Sequence, residues 1–175
     1  VLHCLTCDDG SVNSTPVDYI ARTREQYDAL GYEPYRWAER PDAPPWTPLA
    51  KPVADSTVAL VASGGAYRRG HVAFHWNDDT GIRMVRTDEP AVAVRLTHVA
   101  YDLVPAREDP NIVFPIDRLR EMADEGVIGS VADVHVSFMG AQIDHTLETI
   151  RLDTGPAAAR ALLDDDVDLV LLTPV

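Results

Sequence analysis

The sequence is poor in cysteine, in basic charge and in long apolar runs, and each shortage removes a class of protein. Two cysteines in 175 residues, Cys4 and Cys7, cannot staple a secreted fold. Fifteen Lys and Arg stand against 28 Asp and Glu, a net charge of −13, and the basic residues are scattered. A phosphate backbone would meet mostly repulsion, so nucleic acid is not an expected partner. No apolar run approaches the ~18 residues of a membrane span. The opening "VLHCLTCDDG" has neither the basic start nor the apolar stretch of a secretory signal. These absences predict a cytoplasmic protein with no membrane partner. No repeat occurs at solenoid periods.

What remains is enough for one true core, since a chain of this length buries roughly two thirds of its unfolded surface. Residues 1–15 show no periodicity and read as a disordered extension. Residues 16–55 read as a helix followed by an arm. In "STPVDYIARTREQYDALGY", Thr15 can cap, Pro16 suits the first helical position, Asp18 falls in the first turn and Gly31 can stop the helix. Val17, Ile20, Tyr27 and Leu30 share one stripe. The stretch "YEPYRWAERPDAPPWTPLAKP" then joins Pro41, Pro44, Pro45, Pro48 and Pro52 to Tyr32, Tyr35, Trp37 and Trp46. Large apolar rings on a backbone stripped of donors predict an extended arm lying across the next domain or a partner subunit.

Residues 56–175 read as an α/β domain: a parallel sheet of about four strands with flanking helices, Rossmann- or flavodoxin-like. The expected strands are Val58–Val61, about Val92–His98, about Val134–Phe138, and the closing "VDLVLLTPV". The last reads as a strand buried on both faces, central in its sheet. Helices are expected in "PIDRLREMADEGVIG", with Gly126 as the stop, and over Pro156–Leu163. Alternation of strand and helix implies right-handed crossovers. The segment Ala66–Pro90, with turn signals at "NDDTG" and a short "IRMVR" strand, reads as a hairpin or an insertion. The run Asp164, Asp165, Asp166 opposes the dipole at a helix end and reads as a solvated turn.

Ligands of parallel sheets gather beyond the carboxyl ends of the strands, where loops supply amides. That rule selects Ser63, Gly64 and Gly65 after the first strand, His98, Tyr101 and Asp102 after the second, and Ser137, Met139 and Gly140 after the third. "SGG" can bring amides to an anion, but it is far short of a full phosphate-binding fingerprint, and a plain tight turn is the preferred reading. His98, Tyr101 and Asp102 are three groups able to transfer protons, though His98 can also serve by bonding a loop carbonyl. Ser63 is flanked as "VASGG", not as the serine of a hydrolase elbow. His71 and His75 would share a helical face, but no third ligand accompanies them, so a structural or surface role and no metal site are expected. "CLTC" has the spacing of a redox pair without a second CxxC or a helix N-terminus.

Several stretches, in order from Val17 to Val175, resemble the selenoprotein B family, the substrate-handling subunits of glycine, sarcosine, betaine and D-proline reductases. They are "VDYIARTREQYDALGY", "PPWTPLAKPVADSTVALVASGG", "THVAYD", "DPNIVFPIDRLREMADEGVIGSVA", "SFMG" and "VDLVLLTPV". The resemblance implies an oxidoreductase that cleaves a C–N bond in a small amino-acid-like substrate. It implies that a cysteine or selenocysteine directly follows the "TPV" strand end, as the redox nucleophile of a full-length protein. An in-frame UGA read as stop is the leading expectation for the ending at Val175, with a deliberate truncation, a fragment or a pseudogene as the alternatives that would look identical in sequence. No catalytic residue and no bound cofactor are then expected within this chain. Other reductase subunits or a thiol electron donor are the implied partners, and an oligomer is compatible with them. The pocket residues above come from strand-end position and are not carried over from the family. The competing expectation is a non-catalytic α/β module that holds a small anion or scaffolds a partner.

Overall fold

A computed structural model describes residues 17–35, 41–76, 78–88, 90–140, 142 and 145–175. Thr15, Pro16, Trp37 and the "CLTC" cysteines lie outside the described residues. The chain divides into two units, residues 1–46 and 47–175.

In the first unit, helix α1 (Tyr19–Leu30) begins at Asp18, whose carboxylate accepts the Ala21 N–H at 3.0 Å. Asp18 is thus the N-cap and not a first-turn residue. Gly31 ends the helix in the left-handed region, φ 71°, which frees its N–H and that of Tyr32 to bond the carbonyls of Asp28 and Tyr27. Tyr32 and Tyr35 fold back edge-on against Tyr27, with ring centroids 5.8 and 5.9 Å away.

The second unit is mixed α/β. Its main sheet is built on β1 (Thr57–Ala62), with Val58, Ala59, Leu60 and Ala62 buried. Strands β2 (Ala66–Arg68), β3 (Arg83–Arg86) and β4 (Val94–Leu96) follow, then helices α2 (Leu103–Glu108) and α3 (Ile116–Asp124). Next come β5 (Ser130–Val131), β6 (Val134–Ser137), α4 (His145–Thr149), a π-helical turn Ile150–Thr154, α5 (Gly155–Asp164) and β7 (Leu169–Thr173). On one side β1 pairs in parallel with β5 and then β6, at Thr57↔Ser130 and Val61↔Val136. On the other it pairs in parallel with β7, from Val58↔Leu169 to Ala62↔Thr173. Alternate residues of β1 enter two cores. Val58, Leu60 and Ala62 pack with Phe114, Ile116 and Leu119, while Ala59 packs with Val136, Ala158 and Leu162. Among the described residues, no helix is long and apolar enough to cross a membrane.

Four sequence readings change. The strand expected at Val92–His98 is a 3₁₀ turn, Ala91–Ala93, leading into the short β4. It pairs antiparallel with β2 in a separate two-stranded sheet, because Thr97 bonds back to the Gly65 carbonyl and draws the segment off the main sheet. Ala66–Pro90 is not a hairpin on itself: β3 joins the main sheet antiparallel to β6. Among the described residues β7 pairs with no strand other than β1, and Leu171 and Leu172, on opposite faces, are 42% and 68% exposed, so in this structure it is not a strand buried on both faces. Its apolar run reflects a parallel strand's composition, which by itself does not report how many neighbours the strand has.

The acidic run also differs from a merely solvated turn. Asp165 Oδ2 accepts the Val134 N–H at 2.9 Å, and Asp168 Oδ2 accepts the Thr57 N–H at 2.7 Å while pairing with Lys51. These carboxylates satisfy backbone donors at the amino ends of β6 and β1.

Candidate functional site at the strand ends

The carboxyl ends of β1, β6 and β7 surround a pocket of about 380 Å³. Val61, Phe138, Met139, Ile150 and Leu172 supply its apolar lining, and Ser63, Gln142 and Thr173 its polar side chains. This is where parallel strands leave loops free to meet a ligand.

Ser63 brings the start of the "SGG" turn to the pocket wall. Ser63 donates its N–H to the Thr173 carbonyl, and Ser63 Oγ accepts the Val175 N–H at 2.9 Å, so the turn holds the end of β7 beside the pocket. Gly64 forms an antiparallel bridge with Met139. At Gly65 a side chain is forbidden twice: φ is 67°, and a Cβ would lie 1.8 Å from the Thr97 carbonyl oxygen. Ser137, fully buried, supports the turn from behind by accepting the Ala66 N–H at 2.8 Å.

His98 stands behind this wall. Its Nδ1 accepts the Ala100 N–H at 3.0 Å, which assigns the neutral ring's proton to Nε2. Nε2 is buried without a hydrogen-bond partner and points at Gly140, where a Cβ would come within 2.5 Å of it and 2.9 Å of the Ser63 carbonyl oxygen. Burial lowers the His98 pKa, and the nearby Ser63 carbonyl opposes that shift. Tyr101 stacks at a tilt on the His98 ring, centroids 4.7 Å apart, and its hydroxyl donates to the Gly64 carbonyl at 2.9 Å. Burial raises the Tyr101 pKa, and the Arg107 cation opposes the rise.

Ser63, Gly64, Gly65, His98, Tyr101, Met139 and Gly140 therefore meet in one loop cluster, although His98 arrives from outside the main sheet. Ser63, Met139 and Gly140 line the pocket itself. Asp102 is placed apart from it: exposed, its Oδ1 caps α2 by accepting the Val104 N–H at 2.9 Å. Gln142 and Ile150 were not singled out by sequence reasoning. Gln142 Nε2 donates to the carbonyls of Asp79 and Met139, while its Oε1 is buried and unpartnered. Ile150 opens the π-helical turn, a local widening that periodicity does not announce. His71 and His75 lie in irregular backbone, so the shared helical face is not formed. Among the described residues no group of three or more His, Cys, Asp or Glu could hold a metal ion.

A small neutral molecule, or one whose charge is met by backbone dipoles, fits this pocket in size and lining. The family model for glycine/sarcosine/betaine reductase selenoprotein B matches residues 35–175. The D-proline reductase subunit gamma of Acetoanaerobium sticklandii is 36% identical over 130 residues, covering 74% of this chain and 53% of that subunit. The glycine reductase complex component B subunit gamma of Carboxydothermus hydrogenoformans is 32% identical, covering 75% of this chain and 31% of its own length. The sarcosine reductase complex component B subunit beta of Peptoclostridium acidaminophilum is 29% identical over the same shares. The chain thus spans between about a third and about half of the length of these relatives. No solved structure matches it. The chain belongs to the glycine/sarcosine/betaine reductase selenoprotein B family.

Proposed function

We propose that this chain is the substrate-handling part of a reductase subunit that acts on a small amino-acid-like molecule, and that the strand-end pocket receives that molecule. The observation that carries the reading is the pocket's position at the carboxyl ends of three parallel strands, with the "TPV" end held against Ser63. The redox group belongs to residues outside this sequence: a cysteine thiolate or selenolate following Val175 attacks the substrate carbon, forming a C–S or C–Se bond as the C–N bond breaks and the amine leaves, and a thiol donor or partner subunit supplies the two electrons that then reduce the adduct. Within this chain, Val61, Phe138, Ile150 and Leu172 exclude water, and Ser63 and Gln142 orient the ligand through hydrogen bonds. Tyr101 and His98 hold the "SGG" and Gly140 backbones from behind.

The test is Leu172→Arg in the full-length protein assembled with its reductase partners. Leu172 lines the pocket, so an arginine there obstructs it, and the melting temperature reports whether the fold is kept. Turnover falls at least tenfold with the melting temperature unchanged; undiminished turnover removes the pocket assignment. The redox placement is checked by the nucleotides after the Val175 codon. A UGA or cysteine codon continuing in frame supports it, and a different stop with no continuing frame sinks it.

A further inference from the structure

A second concavity, an open cleft of about 580 Å³, lies between β2, β4 and the α2 end, away from the strand-end pocket. Its charged and phenolic lining residues are Tyr67, Arg95, Arg107, Glu108, Asp109 and Asp117. Their hydrogen bonds divide them into two groups. Asp109 is committed to the N–H and side chain of Asn111, and Asp117 to Arg120, Asn111 and the Ala91 N–H. Arg95 bonds only backbone carbonyls, those of Val92 and Val94, through Nη1. Among the described residues no carboxylate pairs with Arg95 or Arg107, and no cation pairs with Glu108.

Two arginines without a carboxylate partner, Arg95 and Arg107, thus line this one cleft together with a glutamate, Glu108, that has no cation partner. Guanidinium groups match a carboxylate in geometry, and a lone carboxylate matches an ammonium. The strand-end pocket offers neither: among the described residues its lining has no charged side chain. We propose that this cleft is a second, separate binding site for a small dipolar carboxylate, an amino-acid-like zwitterion whose carboxylate meets Arg107 and Arg95 and whose amine meets Glu108. The ligand class rests on the functional reading above; the site itself does not.

The experiment is a ¹H–¹⁵N NMR titration of the full chain with sarcosine, acetate and methylammonium at constant ionic strength. Sarcosine shifts the amides of residues 91–96 and 107–111 saturably, and acetate and methylammonium do so at least tenfold more weakly. Arg107→Gln weakens sarcosine at least tenfold, Glu108→Gln brings sarcosine and acetate close to parity, and Leu172→Ala leaves the cleft titration unchanged. Shifts confined to residues 61–63 and 172–175 overturn this inference and leave the strand-end reading standing. Equal responses to all three probes, or no saturable shift in the cleft, also overturn it, since the strand-end reading is judged by turnover.

Discussion

Asn111 Oδ1 accepts the backbone N–H of Asp117 at 3.0 Å, so helix α3 is capped by a side chain from outside the helix. Pro115 occupies the N-cap position and makes no side-chain cap bond. Asn111 Nδ2 meanwhile donates to Asp109 Oδ1 and Asp117 Oδ2, at 3.0 and 3.1 Å. The long "DPNIVFPIDRLR" stretch is therefore a polar clasp whose spacing is set by this exchange as well as by the buried face of Ile116 and Leu119.

Asn111→Ala removes the cap and leaves Asp117 without one of its donors, at a cost of about 1–2 kcal/mol. Asn111→Asp costs more, because it sets a third carboxylate between Asp109 and Asp117. Chemical denaturation of the two variants gives the order; an Asp variant as stable as the parent would refute the clasp.

Stability falls as pH drops from about 6.5 to about 4, because of His135. Its ring is fully buried, with Nδ1 accepting the Leu60 N–H at 2.9 Å where β1 passes from β5 to β6, and Nε2 contacting Thr87 Oγ1 at 2.9 Å. Thr87 in turn donates to the Ala132 carbonyl. Burial first, then the Arg120 cation, lower its pKa to about 4, with Asp165 opposing. The unfolded chain takes up the proton near 6.5, so between these values it holds more protons than the native state, and stability rises with pH. The contribution is complete above about 6.5 and amounts to about 3 kcal/mol. His135→Gln flattens this slope in urea titrations run from pH 4 to 7; an unchanged slope would assign it to other groups.

Two glycines with similar dihedrals respond differently to alanine. Gly65 and Gly126 have φ of 67° and 72°, but a Cβ at Gly65 meets the Thr97 carbonyl oxygen, while at Gly126 it meets nothing within 4 Å. Gly126→Ala costs only the left-handed backbone strain, ~1–2 kcal/mol. Gly65→Ala adds a backbone collision and costs roughly 4 kcal/mol or more. Equal losses in thermal denaturation would contradict the close approach at Thr97.

Gly140→Ala drives a Cβ against His98 Nε2, and His98→Ala opens the space it needs. In a double-mutant cycle the pair is coupled by about 1–2 kcal/mol, with the double variant more stable than additivity allows. Additive losses would show that His98 does not bear on Gly140.

Arg83 ties down the loop before β3. It pairs with Asp79 at 2.9 Å, donates to the carbonyls of Val72 and Ala73, and lies 4.2 Å over the Phe74 ring. Arg83→Lys keeps the charge and loses the fork, so amide hydrogen exchange over residues 72–82 accelerates at least tenfold. Unaltered protection would place the loop's order elsewhere.

Much of this was legible in the chain because local chemistry carried it. Val58–Val61 announced a parallel strand, Ile116, Leu119 and Met122 a helix face, and Gly31 and Gly126 the turns after their helices. The strand-end rule also selected residues that the fold gathers, Ser63, Gly64, Gly65, Met139 and Gly140. Asp102 was the exception, since a carboxylate two residues before an amide caps that amide wherever the helix happens to point.

The sequence by itself determined several of the elements, the family and the side of the sheet on which a ligand site could form, because apolar period, turn residues and motif order are local properties. Tertiary structure alone decided that β4 leaves the main sheet, that β3 enters it reversed, and that Asp165 and Asp168 serve strand amides. It also decided that His98 works from behind Gly140. Each of these depends on which backbone donors and acceptors find partners far along the chain, at separations such as the 111 residues between Thr57 and Asp168, and no local pattern encodes that pairing.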